Sequence, residues 1–400
     1  MKLSSPDLGH LTYCTNIHAG ETWPDVLQNL KTYLPQAKAA LSPDAPFGVG
    51  LRLSYVAAEA LSDAETLSRF KSFLKENGLY VFTLNGFPYG EFHGQPVKEA
   101  VYLPDWRDSQ RLTYSNTLAD ILAAILPDGV DGTISTVPGA FKPNVKTPAD
   151  VTAMAQNMIR HVAHLVGLQI LTGKAIALTL EPEPCCFIET IDETVHFFKD
   201  NLFSDNARSF LMSLTDLDDA GADEALCRHL GVCLDLCHAA VEFEDAREVV
   251  GKLRSANIPI GKMQISAGLR FAPVGDQTIG QLKPFEDAVY LHQTIASNNG
   301  TLTRYVDLKD AFEARSSGAI ADEWRVHFHV PIFLDDLGDF ATTQNFIREM
   351  LQLHKEQPIS NHLEVETYTW NVLPEEYRNV DVVSAIVREL TWVRQQLAEI

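Results

Sequence analysis

Three features of this 400-residue sequence predict an α/β fold, a (β/α)8 (TIM) barrel. Short β-rich runs alternate with amphipathic helical runs almost from end to end. Most of the β-rich runs are continuously apolar rather than alternating, as strands buried on both faces of a parallel sheet are. The segment after the first run, Cys14–Gly20, has no GxGxxG phosphate turn, which an open doubly wound sheet would usually carry there.

The strand candidates, in order, are Leu11–Ala19, Phe47–Ser54, Leu79–Phe87, Gly132–Val137, Ala175–Leu180, Gly231–Leu236, Gly261–Ser266, Arg325–Phe333 and His362–Tyr368. Nine candidates fit a barrel with one extra strand, and Arg325–Phe333, between strands seven and eight, is the expected extra. Asp63–Asn77, closed by Gly78, and Thr147–Leu171, closed by Gly173, read as helices, since glycine suits the residue past a helix end. Thr147-Pro148-Ala149-Asp150 reads as an N-cap, a proline in the first turn and an acidic residue beside the helix dipole. Val380–Glu399 reads as a closing amphipathic helix. No linker divides the chain, so residues 1–400 are expected to form a single barrel domain with insertions near 88–112, 204–224 and 270–333. The Gly- and Pro-rich aromatic stretch Phe87–Asp105 would lie on the functional face, as a lid or wall or as a packed surface loop.

Composition excludes several classes. With 32 Lys and Arg against 53 Asp and Glu, the net charge is −21, which argues against a nucleic-acid or anionic-membrane surface. No apolar run approaches the roughly 18–20 residues of a membrane span, and Met1–Pro6 lacks the apolar core of a signal peptide. The spacing of the six cysteines suits reduced thiols better than disulfides, and no CxxC pair marks a thiolate zinc site. A cytoplasmic protein is expected.

A barrel carries its chemistry at the C-terminal ends of its strands. Strand five ends in Leu180-Glu181-Pro182-Glu183-Pro184, and strand six in Asp235-Leu236-Cys237-His238. Strand seven offers Lys262-Met263-Gln264-Ile265-Ser266. The extra strand offers His327-Phe328-His329, whose i, i+2 spacing points both imidazoles one way. Strand eight offers Glu364-Val365-Glu366. Singly these are weak, because a glutamate at a strand end is more often a solvated or salt-bridged residue. Together they bring carboxylates to strands five, six and eight. Oxygen-rich ligation suits Mg²⁺ or Mn²⁺ better than zinc, and a divalent cation relieves the repulsion between converging carboxylates.

The run Gly231-Val232-Cys233-Leu234-Asp235-Leu236-Cys237-His238 resembles the strand-six signature of the xylose-isomerase-like TIM barrels. That superfamily includes sugar isomerases, ketose 3-epimerases, hydroxypyruvate isomerase, inosose dehydratase and endonuclease IV. The resemblance implies one divalent metal held by Glu181, Asp235, Gln264 and Glu366, with Glu183 the alternative to Glu181. It also implies that His238 faces the substrate or a second metal. Over nearly the full length the chain is similar to the metabolite traffic protein EboE family, through Tyr13–Trp23, Asn85-Gly86-Phe87-Pro88-Tyr89, Leu180–Pro184 and His327-Phe328-His329-Val330-Pro331. This implies a role in moving or processing a prenylated or sugar-like precursor, beside membrane prenyltransferase-type partners. Strands three and four end in Asn85-Gly86 and Thr136-Val137-Pro138-Gly139, without the histidines of the endonuclease IV type.

The leading expectation is a metal-dependent isomerase or epimerase of a hydroxy-carbonyl compound, with Mn or Mg as cofactor and Zn the alternative. The metal would polarise the carbonyl and stabilise an enediolate, while Glu181 and Glu366 move the proton between carbons. His18, His238, His327, His329 and Lys262 would meet substrate oxygens, with burial, a surface salt bridge for Lys262, or a second ion for His327 and His329 as the alternatives. Trp23 and Trp370 would wall an apolar ligand or simply pack in the core. Two other expectations are a non-catalytic carrier using the barrel mouth and, less favoured, a metal-dependent phosphoester hydrolase.

Overall fold

A computed structural model of the chain describes residues 1–3, 5–90, 98–275, 277–285, 291–338, 340–368 and 381–398. Among the described residues thirteen strands follow one another. The first seven are β1 (His10–Tyr13), β2 (Phe47–Arg52), β3 (Leu79–Asn85), β4 (Gly132–Thr136), β5 (Ile176–Leu180), β6 (Leu230–Asp235) and β7 (Ile260–Ile265). The others are β8 (Ala267–Phe271), β9 (Thr294–Asn298), β10 (Thr301–Tyr305), β11 (Glu323–Val330), β12 (Ala341–Thr342) and β13 (His362–Val365).

Eight strands run parallel in the order β1-β13-β7-β6-β5-β4-β3-β2, and a parallel bridge from Cys14 to Gly50 joins the two edges. The sheet is therefore a closed barrel, with β13 as its eighth strand. The residues of β2, β4, β6 and β13 are buried throughout, as the continuous apolar runs require. Their outer side chains pack under the surrounding helices, and the inner ones fill the barrel.

Helix starts follow the local chemistry. The helix Pro148–Thr172 opens on a reciprocal capping box between Thr147 and Asp150 and closes on Gly173, at φ +71°. The helix Ala64–Glu76 is capped by the Asp63 carboxylate on Thr66 N–H. Residues 204–224, expected as an insertion, form most of two helices, Asp205–Leu214 and Asp219–His229, capped by Ser204 and Asp218. Helix Val382–Ala398 closes the chain. Among the described residues no helix is long and apolar enough to cross a membrane. All six cysteines are free.

Two expectations change. The first strand stops at Tyr13 rather than Ala19, because a 3-10 turn at Thr15–Ile17 swings Asn16 inward to the Glu366 carboxylate. The segment between strands seven and eight holds more than one extra strand. It forms a second, antiparallel sheet in the order β10-β9-β11-β8-β12. β8 begins one residue beyond β7, so the second sheet grows directly out of the barrel's C-terminal end. β11 pairs with β8 across a register shift between Val326 and Val330, the stretch that carries His327, Phe328 and His329.

One glycine admits the barrel's inner chemistry. A Cβ on Gly50 would lie 1.8 Å from Glu364 Oε2 and 2.8 Å from the Tyr13 carbonyl oxygen. Gly50→Ala should therefore lower the urea midpoint by the equivalent of about 2 kcal/mol, the scale of an overpacked core. A midpoint equal to wild type would show that Glu364 does not need that space.

Candidate metal centre

Each carboxylate at the barrel mouth is placed by a strand end. Glu181 follows β5, Asp235 is the last residue of β6, and Glu366 follows β13. Asp235 Oδ1 accepts hydrogen bonds from His238 N–H at 2.9 Å, capping the next helical turn, and from Ser266 Oγ at 2.7 Å. Glu366 Oε1 accepts from Asn16 Nδ2 at 2.7 Å and from Asn85 Nδ2 at 3.1 Å. One oxygen from each of Glu181, Asp235 and Glu366 lies within 4.8 Å of the others, and all three residues are buried. Asp235 Oδ2 and Glu181 Oε2 have no hydrogen-bond partner.

Bare convergence of this kind is costly, and the proton affinities show it. Burial first, then the charges of Glu366 and Asp235, raise the Glu181 carboxyl well above the usual glutamate range. Burial, Asp235 and Glu364 do the same to Glu366. The donor set is hard, anionic and incompletely hydrogen-bonded, so it fits a divalent cation.

Gln264 is on β7, in register with Asp235 on one side and Glu364 on the other. Its Oε1 accepts from the Cys233 thiol at 3.0 Å, and its Nε2 is buried without a partner. As placed it presents nitrogen that cannot ligate, so a ligand role requires the amide turned over. Lys262 is fully buried, with Nζ 2.5 Å from Glu364 Oε1 and 3.3 Å from Ser135 Oγ. Burial opposes its charge, but the Glu364 carboxylate more than compensates and raises its pKa. Its expected place at a substrate is thus taken by an internal ion pair.

The imidazoles divide. His238, His327 and His329 come together: His327 Nε2 lies 3.1 Å from both His238 Nε2 and His329 Nε2. Their other ring nitrogens face Pro182 O at 3.0 Å, Gln293 Oε1 at 2.7 Å and Glu366 O at 3.0 Å, for His238, His327 and His329 in turn. Burial, the largest cause, lowers the pKa of all three. His18 is placed apart, stacked on Tyr33 with centroids 4.2 Å apart and 3.1 Å from Tyr13 Oη. Trp23 is buried against Phe70 in the core. Trp370 lies outside the described residues, as does part of the aromatic stretch after β3.

Beside Glu183, which the sequence offered as the alternative to Glu181, lie neighbours such as Gln293 that sequence reasoning passed over. Glu183 accepts from Tyr102 Oη at 2.8 Å, and burial pushes its carboxyl up to about 8. Gln293 Nε2 donates to Tyr102 Oη at 2.9 Å and to Pro184 O at 3.2 Å. Lone Asn and Gln residues such as Asn16, Asn85 and Gln293 leave no periodic mark in a sequence. Only the Tyr13–Trp23 and Asn85–Tyr89 runs pointed near two of them. Glu181, Glu183, Glu366 and the three imidazoles line a cavity of about 40 Å³ bounded by Phe87, Pro88 and Tyr368, room for an ion and a water or two. Larger hollows, of about 670 Å³ beside Arg107 and about 440 Å³ at the opposite barrel mouth, contain none of these groups.

No family model matches the sequence, and no curated protein matches it. Solved structures do. A xylose isomerase domain protein from Alicyclobacillus acidocaldarius shares 12% identity at a TM-score of 0.47, over 97% of this chain and 98% of that one. A D-tagatose 3-epimerase-like protein shares 10% at 0.49, over 97% of each chain. The IOLI protein, solved with a bound zinc atom, shares 11% at 0.43, over 98% of this chain and all of that one. At such identities and TM-scores no property of those proteins passes to this chain.

The raised carboxyl pKa has a sign that can be checked. A glutamate that holds its proton more tightly folded than unfolded loses stability as pH rises above its ordinary value of 4.5. Glu181→Gln cannot ionise. In chelator, it should gain on wild type by about 1.4 kcal/mol per pH unit within that window. Urea unfolding at pH 5 and pH 8 measures the difference. Equal differences at both pH values would mean that Glu181 is not held protonated.

Proposed function

We propose that the chain is a metal-dependent isomerase or epimerase acting on a small hydroxy-carbonyl compound. The observation that carries this reading is the buried convergence of Glu181, Asp235 and Glu366, with Asp235 Oδ2 and Glu181 Oε2 left without partners. A divalent ion, Mn or Mg with Zn as the alternative, would be held by these three carboxylates, with Gln264 if its amide turns. It would supply Lewis-acid polarisation of a substrate carbonyl.

The chain's own residues supply the proton chemistry. Burial and the neighbouring carboxylates raise the proton affinity of both Glu181 and Glu366, so each is suited to take a proton from carbon and to return one. Asn16 and Asn85 fix Glu366 Oε1, which leaves Oε2 as its reactive oxygen. Phe87, Pro88 and Tyr368 give the cavity an apolar rim beside the carboxylates.

The narrower kinship, with the EboE metabolite traffic family, belongs to the same proposal and rests on the sequence runs given above. So do a prenylated or sugar-like precursor and membrane prenyltransferase-type partners, while a cytoplasmic location and a single barrel domain, also part of the proposal, rest on the cysteine spacing and the lack of a linker.

Proton exchange at carbon tests the reading directly. Metal-loaded wild type, incubated in D₂O with a panel of ketoses, aldoses and inososes, should incorporate deuterium at the carbon beside the carbonyl of at least one compound. Glu181→Gln and Glu366→Gln should each slow that exchange by at least about 100-fold, the scale of a lost general acid or base. Exchange unaffected by both substitutions, or absent across the panel with metal bound, would refute the isomerase reading.

A further inference from the structure

We propose that Asn16 reads the substrate: its Oδ1 accepts a hydrogen bond from the free hydroxyl beside the substrate carbonyl. The inference rests on the proposed function for the hydroxy-carbonyl compound, and on the chain alone for the acceptor. Asn16 is buried and lines the small cavity that Glu181 and Glu366 also line. Its Nδ2 donates to Glu366 Oε1 at 2.7 Å, and its Oδ1 is buried with no hydrogen-bond partner among the described residues. The amide cannot be turned over. Glu366 Oε1 also accepts from Asn85 Nδ2 at 3.1 Å, and an Asn16 oxygen in the place of Nδ2 would face that carboxylate acceptor against acceptor.

The turn that carries Asn16 is held on both sides. Thr15 Oγ1 accepts the Arg52 backbone N–H at 2.9 Å, at the end of β2, and the His18 N–H closes the turn on the Thr15 carbonyl at 3.1 Å. The acceptor is therefore fixed before any ligand arrives. Asn85 gives the contrast within the same site. It makes the same kind of bond to Glu366, but its own Oδ1 is taken by the Phe87 backbone N–H at 3.0 Å. Two asparagines hold one carboxylate, and of these two only Asn16 keeps an idle acceptor. A buried acceptor left unpaired is costly, so a ligand that pairs it is favoured. An amide oxygen accepts and cannot donate, so the group it takes must carry a hydrogen. In a cavity of about 40 Å³ that group must also be close to the size of a water. A hydroxyl meets both conditions. A methyl ether at the same carbon lacks the hydrogen, and a phosphate ester there exceeds the room. A site built to pair a substrate hydroxyl rejects the analogue without it.

The test compares Asn16→Ala with Asn85→Ala in the magnesium-loaded full chain, with hydroxyacetone and methoxyacetone as probes and ligand-observed NMR as the measure of Kd. Both variants loosen Glu366, and only Asn16→Ala removes the idle acceptor. Wild type should bind hydroxyacetone at least about 10-fold more tightly than methoxyacetone, the scale of one buried acceptor left unpaired. Asn85→Ala should keep that preference. Asn16→Ala should lose it, through weaker binding of hydroxyacetone. If a variant does not fold, the side-chain amide ¹⁵N resonance of Asn16 in unmutated protein serves, and it should move with hydroxyacetone and not with methoxyacetone. No binding of hydroxyacetone to wild type, an equal preference in the two variants, or an amide signal unmoved by saturating hydroxyacetone would overturn the proposal. So would a loss of magnesium affinity in Asn16→Ala alone, which would make Oδ1 a ligand of the ion. The expected pattern without C–H exchange on the sugar panel would leave the part of Asn16 standing and remove the isomerase, and exchange without the pattern would do the reverse.

Discussion

Four carboxylates, those of Glu181, Asp235, Glu364 and Glu366, are buried inside one barrel, and the neutralisation of that charge governs the rest of the architecture. An unpaired buried carboxylate is among the most unfavourable groups a protein can hold. Glu364 is answered by Lys262 at 2.5 Å, and Gly50 leaves the space in which that pair fits. Asp235 and Glu366 are answered in part, by Ser266 and a backbone N–H on one and by two asparagines on the other. Glu181 keeps an oxygen with no partner. What remains must be met by protons or by a cation, and the raised carboxyl pKa values express that choice.

The barrel was legible from apolar runs because its strands are buried on both faces, and burial is what such runs record. The carboxylates were legible because each interrupts a run at its end, where a charge is out of place without a purpose. The second sheet was not, apart from Arg325–Phe333. β10 is largely exposed on one side and partly on the other, so its sequence, Thr-Leu-Thr-Arg-Tyr, carries no continuous apolar signal. Lys262 shows the limit from the other side. The sequence placed it near strand seven, at a substrate or in a surface salt bridge, but it is buried within β7 and the partner that claims it is 102 residues away on β13, and pairing at that range leaves no local trace.

The two sheets differ in what they bring to the mouth. The barrel contributes oxygen ligands and one imidazole, His238, fixed one helical turn beyond Asp235. The second sheet contributes two imidazoles, both within the register shift between Val326 and Val330. Gln293, next to β9, ties the assembly together. It holds His327 with its oxygen while its nitrogen reaches Tyr102, which in turn holds Glu183. Ring orientation in one sheet is thereby linked to carboxylate position in the other.

Since β8 leaves the barrel one residue after β7, and β12 ends before the helix Gln344–Glu356, the whole second sheet is a single excursion between two consecutive barrel strands. Such an excursion is a unit of inheritance as well as of structure. A lineage that shortened it would keep all three mouth carboxylates and lose two of the three histidines in one step. A lineage that lengthened it would leave the oxygen ligands untouched. The nitrogen half of this mouth can therefore diverge at its own pace, while the oxygen half is bound to the eight-stranded framework that buries it.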